Sequence, residues 1–297
     1  MAKKKKFKIS FFGEKSGKKI SDSHISLFRV LKAAAIVFVI AGIGVGFVFL
    51  DRAIIFDKHA VLTLINPPSW ATQELEAKIF KAAKASGEDL KIDEDLAANV
   101  YRNLTNNVAW LSDIKVRVHN DKLWIIADWR KPVAMIKIAN GKIYVDKDLI
   151  VLDYVPIPTL GIVEVTGLAS LKAPPDGQVF RGDDLAAAVS ILTKLSMMDE
   201  KVTPEKPLLL NIAKIDVTNF NGRKKASAPH IKLYTTNDTE IIWGAEFGTW
   251  QRYAEATDEQ KLANLYGYYK EFGTFKDAKY INLRQPQDRL HKPVDNY

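Results

Sequence analysis

Residues 110–134, WLSDIKVRVHNDKLWIIADWRKPVA, decide the fold. Ile114, Val116 and Val118 alternate with Lys115, Arg117 and His119, the period-two pattern of a strand with one buried face. Asn120-Asp121 is a turn pair, after which Leu123, Ile125, Ala127 and Trp129 carry the alternation back. The reading is a β-hairpin, closed at Arg130-Lys131-Pro132, where a second region begins.

Upstream the period changes from two to that of a helix. Leu96, Val100 and Leu104 form one stripe within residues 93–107, and Leu75, Ile79, Ala82 and Ala83 form another after Thr72, a capping residue, with Gly87 as the stop. Before both, residues 59–65 (HAVLTLI) read as a strand halted by Asn66-Pro67-Pro68, because proline cannot continue a ladder. The first folded region, 57–129, is therefore expected to run β-α-α-β-β.

Downstream, 133–139 and 143–146 flank Asn140-Gly141, a pair suited to a type I′ turn with φ > 0 at both central residues. Residues 153–182 hold four of the twelve prolines and four glycines and read as a long irregular excursion. Asp183 or Asp184 is expected to cap a helix carrying Leu185, Ala188, Leu192 and Leu195. Residues 208–220, 231–235 and 240–243 read as strands, Thr257-x-x-Gln260 as a capping box opening a helix, and 278–283 as a closing strand. The second region, 130–297, is a β-rich domain with flanking helices, and the fold class is α+β.

The formal charge of +8 sits entirely in residues 1–32, which contain ten Lys or Arg and only Glu14 and Asp22 as acids; the rest of the chain is balanced. A folded nucleic-acid surface would carry its charge on one face of a domain, so no nucleic-acid partner is expected. Residues 33–50 are uncharged and apolar, covering about 27 Å as a helix. With 51–56 they read as a spanning signal anchor, 33–56, behind a basic cytoplasmic tail, 1–32, by the positive-inside rule. The tail lysines also favour anionic membrane lipid.

Catalytic chemistry is hard to find. There is no cysteine, and the five histidines are dispersed without metal-ligand spacing. No nucleophile elbow, phosphate loop or dinucleotide fingerprint is present in the exported part. Asp93-Glu94-Asp95 and Asp183-Asp184 open helices, where carboxylates serve free N–H groups and the dipole. No catalytic residue, cofactor or metal is expected.

Three segments together resemble the FtsQ/DivIB family of bacterial cell-division proteins. Residues 110–118 with Leu123-Trp124-Ile125 and Arg130-Lys131-Pro132-Val133-Ala134 resemble its POTRA hairpin and the entry to its β domain. Residues 143–152 (IYVDKDLIVL) resemble its next hairpin, with Asp148 where the family turns on glycine. Residues 239–244 (TEIIWG), Lys261-Leu262 and Tyr280-Ile281-Asn282-Leu283-Arg284 resemble its closing run. There Asn282 replaces an aspartate, and Gln285-Pro286 follow where relatives have an aromatic.

The resemblance implies a non-enzymatic, single-pass scaffold of the division septum in the bacterial inner membrane, with its C-terminal domains outside. It also implies that the last strand offers an open edge to which a partner adds its own strand. The implied partners are the small coiled-coil membrane proteins FtsB/DivIC and FtsL and, through them, the septal peptidoglycan synthase. Carried over by position, the contact candidates are Tyr280, Asn282, Arg284, Gln285, Gln287 and Leu290. A membrane enzyme with an exported catalytic domain, and a POTRA-type secretion protein, remain open alternatives on the sequence.

Overall fold

The computed structural model describes residues 27–56, 60–84, 90, 94–119 and 122–285. Two units separate within the chain, one ending at Phe56 and the other covering 57–297. The first contains a helix, α1 (Leu27–Phe56). No helix among the described residues is long and apolar enough to cross a membrane, which overturns the expected anchor over 33–56 and the transmembrane part of the expected fold. Of the expected basic tail, 1–32, residues 1–26 lie outside the described residues.

The second unit is α+β with two mixed sheets. Its first part follows the expected order: β1 (Val61–Leu64), α2 (Gln73–Lys84), α3 (Leu96–Asn107), β2 (Leu111–His119) and β3 (Lys122–Trp129). The strands lie in the order β1-β3-β2, with β1 parallel and β2 antiparallel to β3. Alternation sets the faces: Leu123 and Ile125 are buried against Leu75, Ile79, Val100 and Leu104 of the two helices, while Lys115, Arg117 and Lys122 point the other way and are exposed. The turn at 120–121, Gly87 and Asp93 lie outside the described residues, and Asp95, the residue before α3, makes no side-chain capping bond.

The second part is an eight-stranded sheet: β4 (Pro132–Ile138), β5 (Gly141–Asp146), β6 (Val151–Asp153), β7 (Val163–Thr166), β8 (Ile212–Asp216), β9 (Ile231–Thr235), β10 (Glu240–Gly244) and β11 (Tyr280–Asn282). Their order is β11-β10-β9-β8-β7-β4-β5-β6. Helices α4 (Asp183–Val202) and α5 (Asp258–Phe272) join the sheet's core through Leu185, Leu192, Leu195, Leu265 and Tyr266. The opposite face carries ion pairs, Lys137–Glu164 at 2.8 Å between β4 and β7 and Lys232–Glu240 at 3.1 Å between β9 and β10.

At the β5–β6 end that opposite face is covered by the first part of the unit. Tyr144, Leu152, Val155 and Ile157 enter the core of the smaller sheet. Trp110, fully buried, meets Tyr144 edge-on at 6.0 Å and donates from Nε1 to Asp153 Oδ1 at 3.1 Å. Lys78 also pairs with Asp153.

Several local expectations change. The β4–β5 hairpin forms, but Ile138 pairs with Gly141, so Ala139 and Asn140 are the central residues and the type I′ turn on Asn140-Gly141 is absent. The irregular stretch 153–182 contributes β7, inserted parallel between β4 and β8. The expected strand over 208–220 is broken, because Leu208–Asn211 is a 3-10 turn. The carboxylate of Asp199 takes the N–H groups of Leu208 and Leu209 at 2.8 and 2.9 Å, which holds that turn closed. Gly182, not an aspartate, precedes α4, and Asp184 instead accepts from Ala169 N at 2.7 Å and Arg223 Nη1 at 2.9 Å.

Candidate partner-binding edge

The two ends of the large sheet differ. At one end β6 is sealed by the tail of the 153–182 excursion. Gly177 N donates to Val151 O at 2.8 Å, Val151 N to Gln178 O at 2.9 Å and Phe180 N to Leu149 O at 2.8 Å, and Ile150 bridges Val179. At the other end β11 pairs with β10 on one side only, and no strand among the described residues adjoins its outer side.

Alternation decides which groups β11 presents. Ile281 and Leu283 are buried in the core, whereas Tyr280 is 51% exposed. Leu283 N donates to Ile242 O at 3.0 Å and Glu240 N to Lys279 O at 3.2 Å, so the odd-numbered residues direct their peptide groups at β10. The N–H and C=O of Tyr280 and Asn282 therefore face away from the sheet, as successive strand residues must.

The strand is held by a buried ionic cluster. Glu255, whose side chain is 4% exposed, accepts from Lys261 Nζ at 2.7 Å, Arg284 Nε at 2.7 Å and Ala245 N at 2.9 Å. Ala256 N also donates to Arg284 O at 2.7 Å, fixing the end of β11 by side chain and backbone. Burial alone would raise the Glu255 pKa, but the Ala245 N–H and the Lys261 and Arg284 cations prevail and hold the carboxyl below its usual range. Lys261 is completely buried, with Nζ 5.6 Å from the centre of the Trp243 ring.

Gly244, at φ +94°, makes the cluster possible, since a Cβ there would collide with the Glu255 carboxylate. His230 lies beside the group, edge-on to Tyr253 at 4.5 Å, and burial lowers its pKa.

The six contact candidates separate accordingly. Tyr280 and Gln285 are exposed. Asn282 is half-buried and its Oδ1 accepts from Arg284 N at 3.1 Å. Arg284 turns its guanidinium inward to Glu255. Gln287 and Leu290 lie outside the described residues. Sequence reasoning missed Glu255 and the burial of Lys261. One signal for Lys261 was available: with Leu265 and Tyr268 it stands at i, i+4 and i+7 on the buried stripe of α5.

Among the described residues no group of three or more His, Asp or Glu side chains is arranged to hold a metal. The most spacious cavity described, about 580 Å³ between α4 and α5, is lined by Leu149, Val189, Met197, Phe247 and Leu262, with Lys194 and Glu259 at its margin. No family model and no curated protein sequence matches the chain.

Proposed function

We propose that the chain is a non-enzymatic scaffold of bacterial cell division that receives a strand from a partner protein along the outer side of β11. The observation that carries this reading is the asymmetry of the large sheet among the described residues, with β6 sealed by 177–180 and no described strand on the outer side of β11, which is anchored through Glu255. Open edges invite unwanted pairing and are ordinarily blunted. A three-residue edge strand, rigidly held from behind, suits strand addition: main-chain bonds supply affinity and alternate side chains supply choice.

The resemblance of 110–118, 123–125, 130–134, 143–152, 239–244, 261–262 and 280–284 to FtsQ/DivIB supplies the partner class. These are short coiled-coil division proteins of the FtsB/DivIC and FtsL kind at the septum, and through them the peptidoglycan synthase. In this reading Tyr280 and Asn282 present the pairing groups, and Arg284 is a positioning residue that acts through Glu255.

Asn282→Pro tests the proposal, because it deletes one outward donor while leaving the Leu283–Ile242 bond to β10 in place. The full-length protein is expected to capture the FtsB-like and FtsL-like proteins from its own cells, and the variant to lose them at unchanged melting temperature. Retention of both partners by a folded Asn282→Pro protein refutes strand addition at β11.

A further inference from the structure

We infer that the outer face of the β1-β3-β2 sheet is a docking surface for anionic phospholipid headgroups. The inference does not rest on the division reading or on any membrane-spanning segment.

The pairing places Lys115 opposite Ile126, Arg117 opposite Trp124 and His119 opposite Lys122 across β2 and β3. On the far side of β3, Val61 stands beside Lys122 and Thr63 beside Trp124. All these positions share the face turned away from α2 and α3, and none belongs to either hydrophobic core. Lys115, Arg117, His119 and Lys122 are exposed, and Val61 is 58% exposed. The His119 and Trp124 rings stack at 4.8 Å.

The charge is graded along the face. At one end Lys115 is engaged by Asp113 at 2.8 Å, and Asp128 lies opposite Ser112. Towards the hairpin end Arg117 and Lys122 have no acidic partner in the described ion pairs, and they flank the half-buried indole of Trp124. The three cavities with the most space, of about 580, 380 and 290 Å³ among those described, are lined by residues other than Arg117, His119, Lys122 and Trp124. A pleated face with cations, an amphipathic ring and a projecting valine matches a planar anionic surface: ammonium and guanidinium groups meet phosphates while Trp124 and Val61 sit at headgroup depth. An acidic polypeptide is the competing occupant. Its side chains would satisfy the cations but give Val61 and Trp124 no apolar phase to enter.

Residues 57–297 form one compact unit holding every described strand and both cores, so this fragment is the material for the test and excludes the basic tail. Sedimentation with vesicles of phosphatidylcholine containing one-third phosphatidylglycerol is compared with phosphatidylcholine alone. Binding only to the anionic vesicles is expected, weakening as salt rises. Arg117→Gln with Lys122→Gln is expected to lower partitioning about thirty-fold, from about five-fold per cation, and Trp124→Ala to lower it further at unchanged melting temperature. Equal retention on both vesicles, no retention on either, or indifference to the double substitution overturns the proposal. Binding of polyglutamate that depends on Arg117 and Lys122, without vesicle binding, overturns it in favour of an acidic polypeptide.

Discussion

Replacing Glu255 by glutamine tests the physical core of the edge-strand argument. The substitution keeps the shape and one acceptor oxygen, so Ala245 N and Lys261 Nζ, which both bond Oε2 at 2.9 and 2.7 Å, can retain a partner. The new amide N–H groups face Arg284 Nε, which bonded Oε1 at 2.7 Å, and donor is set against donor. More costly is the charge. Lys261 has no solvent exposure, and breaking a buried pair while leaving its ammonium in place costs about 3–5 kcal/mol. The retained amide oxygen places E255Q at the lower end, about 3 kcal/mol. Arg284 is 32% exposed, so its share is screened and adds little.

With a urea slope of about 3 kcal/mol/M, the unfolding midpoint of residues 57–297 is expected to fall by about 1 M. Adding Lys261→Met removes the stranded ammonium, and the double variant is expected to regain most of the loss, because apolar replacement of a buried pair is commonly near neutral. Amide exchange supplies a local reading: Leu283 N, bonded to Ile242 O at 3.0 Å, is expected to exchange faster in E255Q than the amides of β8. An E255Q midpoint within 0.3 M of wild type, about 1 kcal/mol on that slope, refutes the reasoning. So does a double variant no more stable than E255Q.

Three other outcomes follow from the same geometry. His230 is buried and its pKa lies below the ordinary value, so the unfolded chain takes up this proton more readily; stability is expected to fall as pH drops through about 6.5. The loss should continue to the lowered folded value and vanish in His230→Phe, as followed by urea midpoints between pH 7.5 and 5.5. Asp199→Ala orphans the buried N–H groups of Leu208 and Leu209, while the Tyr266 hydroxyl loses Asp199 Oδ1 but keeps Leu195 O at 2.8 Å. It is expected to cost about 3–5 kcal/mol in equilibrium denaturation, with Asp199→Asn milder. Trp110→Phe removes the bond to Asp153 and part of a fully buried ring. A loss of about 2–3 kcal/mol is expected, together with faster proteolysis between β3 and β4, since Trp110 packs on Tyr144 across that junction.

What the sequence discloses is what short-range periodicity encodes. The alternation over 111–129 placed Leu123 and Ile125 in the core and Lys115 and Arg117 outside, because a strand with one buried face repeats every second residue. The capping box at Thr257 and Gln260 is local chemistry and is present in both of its bonds. By contrast, β7 has four residues amid prolines, and its reason for being a strand is the pairing with β4 and β8, far away in sequence. The 3-10 turn at Leu208–Asn211 depends on Asp199, and the fate of Asp184 depends on Arg223. A carboxylate near a helix start reads as a cap until a distant donor claims it. At the edge, Tyr280 to Arg284 stood out as a segment, but the partner that turns Arg284 inward lies 29 residues upstream.

The long-range contacts also account for the shape of the candidate edge. A sheet of eight strands has two ends that must be managed, and the chain treats them oppositely with similar means. At β6 the irregular 153–182 segment returns to donate and accept through Gly177, Gln178 and Phe180, consuming the backbone groups of Leu149 and Val151. At β11 the returning segment is 254–256, which meets Arg284 just beyond the strand, and no described strand takes the outward groups of Tyr280 and Asn282. Fixing an edge strand by its terminus rigidifies it while keeping its flank available, so an incoming strand would meet a preorganised ladder and lose less conformational freedom on pairing. A loose edge would have to order itself in the same step. On this account, weakening the Glu255 cluster and deleting the outward donor of Asn282 impair partner capture differently. E255Q should slow association by lowering the fraction of competent strand, while Asn282→Pro should speed dissociation by removing a bond from the finished ladder.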